Sequence, residues 1–139
     1  MKGQNKKPHF HVTAGLIRRE GKVLIAKRPE GSHLEGYWEF PGGKQEKSES
    51  LEGCLEREIE EELGVRIKAG KFLLTVDHDY GIKVISLHAF NCISLEGEPR
   101  PLKSQEIRWV EPVMLGGFTF PPPDIKVIEF LSGWSCFGA

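Results

Sequence analysis

The hydrophobic pattern divides the chain into segments of different period. Residues 11–18 (HVTAGLIR) and 22–28 (KVLIAKR) are short apolar runs separated by Arg19-Glu20-Gly21, and they predict two strands joined as a hairpin. Residues 29–36 read as a polar loop. A short extended piece, 37–40, then runs into Pro41-Gly42-Gly43, a strong chain break. Over residues 50–63 the period changes: Leu51, Leu55, Ile59 and Leu63 recur every four positions, and Gly64 stands where a left-handed C-cap belongs. This predicts a helix. Stretches 72–76, 82–94 and 107–110 read as further strands. Pro121-Pro122-Pro123 breaks the chain again, and 124–131 predicts a closing helix with Asp124 at its N-terminus, where a carboxylate caps and complements the helix dipole. Strands arranged around helices, with hairpins rather than regular βαβ alternation, predict an α/β fold: a mixed β-sheet sandwiched between helices.

The 50–63 helix carries charge on its buried side. At about 100° per residue, with Leu51 at zero, the apolar residues reach about 120° at Leu63, and Cys54 at about 300° widens the sector. Glu58 falls at about 340° and Glu62 at about 20°, inside that sector, and Glu61 at about 280°, on its edge. Glu52, Glu56 and Glu60 turn outward. A Glu-rich helix is ordinarily a solvated charged face, but carboxylates packed against a core are costly and repel one another. A hard divalent cation offsets that cost, because Mg²⁺ takes oxygen ligands and shares them with substrate phosphates. Arg57, four residues before Glu61, is placed to brace it.

Composition narrows the function classes. With 139 residues, 39% hydrophobic and 28% charged, the chain suits one globular domain spanning 1–139 with its own core. Nineteen Lys and Arg against 20 Asp and Glu leave a formal charge of −1, which lacks the electrostatic footprint of a protein that grips long nucleic acid. No apolar run approaches a membrane span of about 18 residues. Residues 1–8 are basic without an apolar stretch behind them, so they read as a flexible segment rather than a secretory signal. Cys54, Cys92 and Cys136, with no CxxC, suggest neither a zinc ribbon nor a disulfide framework, and point to a reducing, cytoplasmic compartment. His9 and His11 share a strand face but lack a third metal ligand. The glycine of Asp77-His78-Asp79-Tyr80-Gly81 comes one residue too early for a calcium loop.

From Gly43 the chain reads GKQEKSESLEGCLEREIEEELGV. Gly43, five residues, Glu49, seven residues, Arg57-Glu58-Ile59, then Glu61-Glu62, Gly64 and Val65 match the Nudix box, G-x5-E-x7-R-E-U-x-E-E-x-G-U with U aliphatic, at every fixed position. The chain is identified on this motif as resembling the Nudix hydrolases. The resemblance implies an α/β/α sandwich that hydrolyses a nucleoside diphosphate linked to another moiety, with Mg²⁺, replaceable by Mn²⁺, as cofactor. It further implies Glu58, Glu61, Glu62 and the Gly42 carbonyl as metal ligands, Arg57 as their partner in catalysis, and Glu49 as an orienting residue.

The segments AGLIRREGKVLIAKRP, WEFPGGK, ISLHAF and FPPPD extend the likeness from Thr13 to about Leu131, towards the MutT-like branch. That branch implies a nucleoside triphosphate as substrate, cleaved to nucleoside monophosphate and pyrophosphate by a monomer. It places Arg28, His33, Glu39, Phe40 and Asp124 around the nucleotide. Two positions depart from its pattern. Asp124 replaces an Asn that both donates to and accepts from the base, whereas an ionised Asp only accepts. Lys103 stands where a metal-binding or proton-abstracting Glu is expected, counted back from Trp109, and a lysine cannot hold Mg²⁺. Glu98 and Glu106 lie nearby in sequence, and Glu106 is the candidate to take that role. The leading expectation is pyrophosphohydrolysis of 8-oxo-dGTP in nucleotide-pool sanitation. The alternatives are CTP or 5-methyl-dCTP, then ADP-ribose or a dinucleoside polyphosphate, and a non-catalytic binding module.

Overall fold

The structure, a computed structural model, describes residues 6–132. Part of the expected flexible segment, residues 1–5, and the tail, residues 133–139 with Cys136, lie outside them. Within the described part, Lys7 pairs with Asp79 at 2.6 Å, and the Pro8 carbonyl accepts from the Val84 N–H.

Two sheets form. β1 (His9–Leu16) runs parallel to β6 (Val84–Glu96), and β6 pairs antiparallel with β5 (Arg66–Asp79). In the second sheet β3 (Lys22–Lys27) is joined along its length by antiparallel β7 (Glu106–Val110) and at its ends by β2 (Arg18–Arg19) and β4 (Trp38–Glu39). The predicted hairpin is therefore much shorter than expected. Residues 9–16 leave it for a parallel partner some 75 positions later, and only Arg18 and Arg19 pair with β3. The 72–76 strand is longer than its alternation suggested. Register shifts between Lys68 and Leu74 turn successive side chains out of step and mask the period.

Helix α1 (Leu51–Leu63) starts where the Ser50 side chain accepts from the Gly53 N–H, at 3.0 Å. It ends at Gly64, in the left-handed region at φ 72, whose N–H reaches the Glu60 carbonyl. Leu55, Ile59 and Leu63 are fully buried against Ile17, Leu24, Ile67 and Phe90. A second core forms on the other side, where Val127 and Leu131 of α2 (Pro122–Ser132) meet Ala14, Leu16, Leu87, Ala89 and Phe40. Leu87 and Ala89 face one core and Phe90 the other, as strand alternation requires. Mixed sheets with helices packed on both sides are thus observed. A 3₁₀ turn, Pro112–Gly117, was not anticipated.

Two sets of backbone bonds position the site. The Pro41–Gln45 segment is laid along β1 by Gly15 N–H to the Pro41 carbonyl (2.7 Å), Thr13 N–H to the Gly43 carbonyl (2.8 Å) and Gln45 N–H to the His11 carbonyl (2.8 Å). The far end of α1 is tied to the 100–102 loop, where Arg100 N–H donates to the Leu63 carbonyl and Leu102 N–H to the Glu62 carbonyl.

Candidate active site

The carboxylate face of α1 is organised by Arg57. Its Nε donates to Glu49, its Nη2 to Glu49 Oε1 (2.9 Å) and to the Lys44 carbonyl (3.1 Å), and its Nη1 to Glu58 Oε2 (3.1 Å) and to both Glu61 oxygens (3.4 Å). The forked pairing with Arg57, together with the Glu46 N–H, holds the Glu49 carboxyl well below its usual range, at about 2. Glu49 is thus held ionised in a forked pair with Arg57. Arg57 spans from the glycine loop to the helix and fixes one against the other.

Glu62 is 8% exposed, a carboxylate on a buried face as the wheel predicted. Burial pushes it up to about 8, the neighbouring charges of Glu39 and Glu58 add to this, and a bond from the Gly42 N–H (3.3 Å) opposes it. Glu58 is also raised, first by desolvation, against the pull of Arg57. Desolvated, mutually repelling carboxylates are the environment that a hard divalent cation relieves.

The glycine loop adds the remaining donor. The Pro41 and Gly43 carbonyls are taken by β1, whereas the Gly42 carbonyl accepts no hydrogen bond among the described contacts. A side chain at Gly43 would place its Cβ 2.2 Å from the Glu58 carboxyl, and one at Gly42 would meet the Thr13 carbonyl at 2.0 Å, with φ at 155. The loop thus lies against the carboxylate helix because Gly43 lacks a Cβ, and against β1 because Gly42 does. One free carbonyl and three acidic side chains fit a Mg²⁺-type ion in donor chemistry. They do not yet converge as a closed cage: Glu58 and Glu61 still lean on Arg57, and among the described residues no group of three acidic, His or Cys side chains stands as a ready metal site.

Beside this face opens a cleft of about 330 Å³. Four of the five residues expected around the nucleotide, Arg28, His33, Glu39 and Asp124, line it. Arg28 is fixed by its Nε to the His33 carbonyl (2.6 Å) and by Nη1 to Glu39 Oε1 (2.7 Å). Burial raises Glu39 against the attraction of Arg28. His33 is lowered by desolvation and by the Lys83 and Arg28 charges. Asp124 is 6% exposed. Burial and the nearby Glu39 push its carboxyl up to about 8, against one bond from the Phe40 N–H (3.2 Å).

The fifth residue differs. The Phe40 ring, expected beside the base, is 3% exposed and stacked on Phe120 within the core. It serves the cleft through its backbone N–H, because aromatic burial in the core wins over exposure on the wall. The aromatic wall comes instead from Phe10 and Tyr80, which sequence reasoning missed. Tyr80 stands edge-on to His33 (4.9 Å) with Lys83 over its ring, and Lys44 sits over Phe10 at 4.4 Å. The signal for Tyr80 was its place beside Gly81, with Lys83 two residues further on, in the β5–β6 turn, and it carries meaning only once that turn is seen at the cleft. Among the described contacts Glu106 and Glu98 pair with arginines rather than with the carboxylate helix: Glu106 is bonded to Arg108 (2.6 Å), and Glu98 to Arg19 at 3.1 Å through both oxygens. Lys103 does reach it, with Nζ 3.7 Å from Glu61.

Comparison with known proteins agrees with this geometry. A family model described as the NUDIX domain matches residues 12–130. The CTP pyrophosphohydrolase of Escherichia coli K12 is 35% identical over 120 residues, covering 86% of this chain and 89% of that protein. The 8-oxo-dGTP diphosphatase of Haemophilus influenzae is 36% identical, covering 88% and 90%. Among solved structures, that of the E. coli ORF135 protein superposes with a TM-score of 0.83 at 32% identity, covering 93% of this chain and 92% of that one.

Proposed function

The chain belongs to the Nudix hydrolase family, and from that premise we propose that it is a Mg²⁺-dependent pyrophosphohydrolase that converts 8-oxo-dGTP to the monophosphate and pyrophosphate, sanitising the nucleotide pool. Glu58, Glu61, Glu62 and the Gly42 carbonyl would hold the metal, which would supply charge neutralisation and activation of water. Arg57 keeps Glu58 and Glu61 on one face and ties them to the Gly43–Glu49 segment. Arg28, His33 and Glu39 position the nucleoside, and the aromatic wall of Phe10 and Tyr80 excludes water beside it. We read it as a monomer acting in the cytoplasm. Free Cys54 and Cys92 fit a reducing setting, and no helix of the described residues is long and apolar enough to cross a membrane.

Asp124 carries the choice of base. A carboxyl titrating at about 8 is protonated at neutral pH. It then both donates and accepts, as an amide does, so the departure from Asn leaves purine O6 readable. The sign follows: donor capacity is present below pH 8 and is lost as pH rises through about 8. kcat/KM for 8-oxo-dGTP falls across that step in the wild type, and the Asp124→Asn protein shows no such step. A pH–rate profile on both proteins checks this. A second reading, CTP or 5-methyl-dCTP hydrolysis, draws on the similarity to the E. coli CTP pyrophosphohydrolase. In that case an ionised Asp124 accepts from the cytosine amino group, and activity rises across the same step. Turnover of 8-oxo-dGTP, dGTP, CTP, 5-methyl-dCTP and ADP-ribose in Mg²⁺ decides between them. A preference of tenfold or more for 8-oxo-dGTP over dGTP, about 1.4 kcal/mol, with pyrophosphate released, supports the first reading. A cytosine preference replaces it with the second.

A further inference from the structure

We propose that Lys103 is a phosphate-binding catalytic residue, whose ammonium pairs with Glu61 in the ligand-free protein and passes to a phosphate oxygen of the substrate when Glu61 turns to the metal. The inference rests on the pyrophosphohydrolase reading above.

Its placement is set by backbone rather than by chance contact. Arg100 and Leu102 donate their N–H groups to the last carbonyls of α1, those of Leu63 and Glu62, so the residue that follows starts at the end of the carboxylate helix. From there the Lys103 Nζ lies 3.7 Å from Glu61 Oε1, and its charge acts on Glu58 as well. Charge bookkeeping at this face shows what is missing. Glu49 absorbs two of the Arg57 donors, and a third Arg57 nitrogen is divided between Glu58 and Glu61. Among the described residues, Lys103 and Arg57 are the cations paired with Glu61.

The bond is built to be exchanged. Both partners are exposed and the contact is long, so the pair is weak and readily broken. The Cα is tethered while the four-carbon stem is free to sweep. An ammonium is a compact charge with three donors, suited to a phosphate oxygen and unable to hold Mg²⁺. When metal enters, Lys103 loses its carboxylate to the ion, and the triphosphate brings the nearest replacement anion. The same lysine thus competes with metal in the empty site and complements the substrate in the filled one.

These two roles have opposite signs in the Lys103→Gln variant. Mn²⁺ binding to the ligand-free protein, read by electron paramagnetic resonance, tightens about two- to fivefold because the competing charge is gone. kcat/KM for the preferred triphosphate falls about tenfold or more, because a donor aimed at the phosphates is lost. A mere folding defect weakens both. Lys103→Arg keeps a cation at this position and recovers part of the turnover lost in Lys103→Gln, with Mn²⁺ binding closer to the wild type than that of Lys103→Gln. Unchanged turnover in Lys103→Gln, or Mn²⁺ binding that is unchanged or weaker, overturns the proposal. If the wild type binds Mn²⁺ but hydrolyses no nucleoside triphosphate, the pyrophosphohydrolase reading fails separately. Lys103 is then judged by affinity for an α,β-methylene triphosphate with Mn²⁺: loss of affinity in Lys103→Gln sustains its phosphate role, and equal affinity overturns it.

Discussion

Glu62→Gln loses turnover by about a hundredfold or more, at least about 2.7 kcal/mol of transition-state stabilisation, while the ligand-free protein becomes more heat-stable at pH 8. The two halves have one cause. Glu62 is 8% exposed, with the Gly42 N–H on one oxygen and Glu39 and Glu58 as like-charged neighbours. Its carboxyl is raised from 4.5 to about 8 in the folded chain. From pH 4.5 upward the unfolded chain carries the charge and the folded chain does not. Stability is therefore fully present below about 4.5 and is lost as pH rises through about 8. Glutamine has the shape of the protonated acid, keeps the bond to Gly42 and never ionises. It also cannot supply the charge that a metal ligand needs. Thermal melts in chelator at pH 5 and pH 8, beside steady-state kinetics in Mg²⁺, give the result: equal melting at pH 5, a higher melting temperature for the variant at pH 8, and lost turnover throughout. Wild-type turnover in Glu62→Gln removes Glu62 from the machinery.

Gly43→Ala is the second large effect, and it separates the loop from the fold. The added Cβ would lie 2.2 Å from the Glu58 carboxyl carbon and 2.7 Å from its Cγ, so Glu58 must swing away. The obstacle is a side chain, and the Gly43 backbone does not require a left-handed conformation, so the chain still folds. Activity drops about a hundredfold, as expected when a ligand is displaced from a constellation whose geometry sets the barrier. The melting temperature changes little. Gly42→Ala behaves differently. Its Cβ would strike the Thr13 carbonyl at 2.0 Å, and its φ of 155 lies where L side chains are strained, so it loses the fold of the loop itself. Kinetics and melting of the pair distinguish a displaced ligand from a broken segment. A Gly43→Ala protein with normal turnover shows that Glu58 does not need its observed position.

The carboxylate helix and its chemistry were legible in the sequence. Helical period, the Gly64 cap and the angle of Glu58 and Glu62 all depend on residues within one or two turns of each other, and the structure reproduces them, while Ser50, read as part of the helix, is its N-cap. The spacing from Gly43 to Val65 was likewise readable, because a contiguous loop and helix hold these groups. Asp124 at the start of α2 and Arg28 beyond β3 were found by likeness of local segments, and the fold brings both to the cleft.

What remained hidden depends on distant partners. Nothing local in residues 9–16 states that they pair in parallel with 84–91 rather than complete a hairpin with β3. Phe40 carries no mark that sends its ring to Phe120, and Tyr80 and Lys83 none that sets them on the cleft wall. Glu98 and Glu106 lie near Lys103 in sequence, yet they pair with Arg19 and Arg108, while two backbone bonds at the end of α1 bring the segment before Lys103 to the helix and its ammonium to Glu61. The sequence by itself determined the helix, the glycine loop and the spacing of the Nudix box, and hence the family, since short-range periodicity and spacing are encoded within a few residues. Only the tertiary structure decided how strongly Glu62 and Asp124 are desolvated, which aromatics line the cleft and which cation pairs with Glu61 beside Arg57, because desolvation and long-range pairing arise from packing segments far apart in the chain.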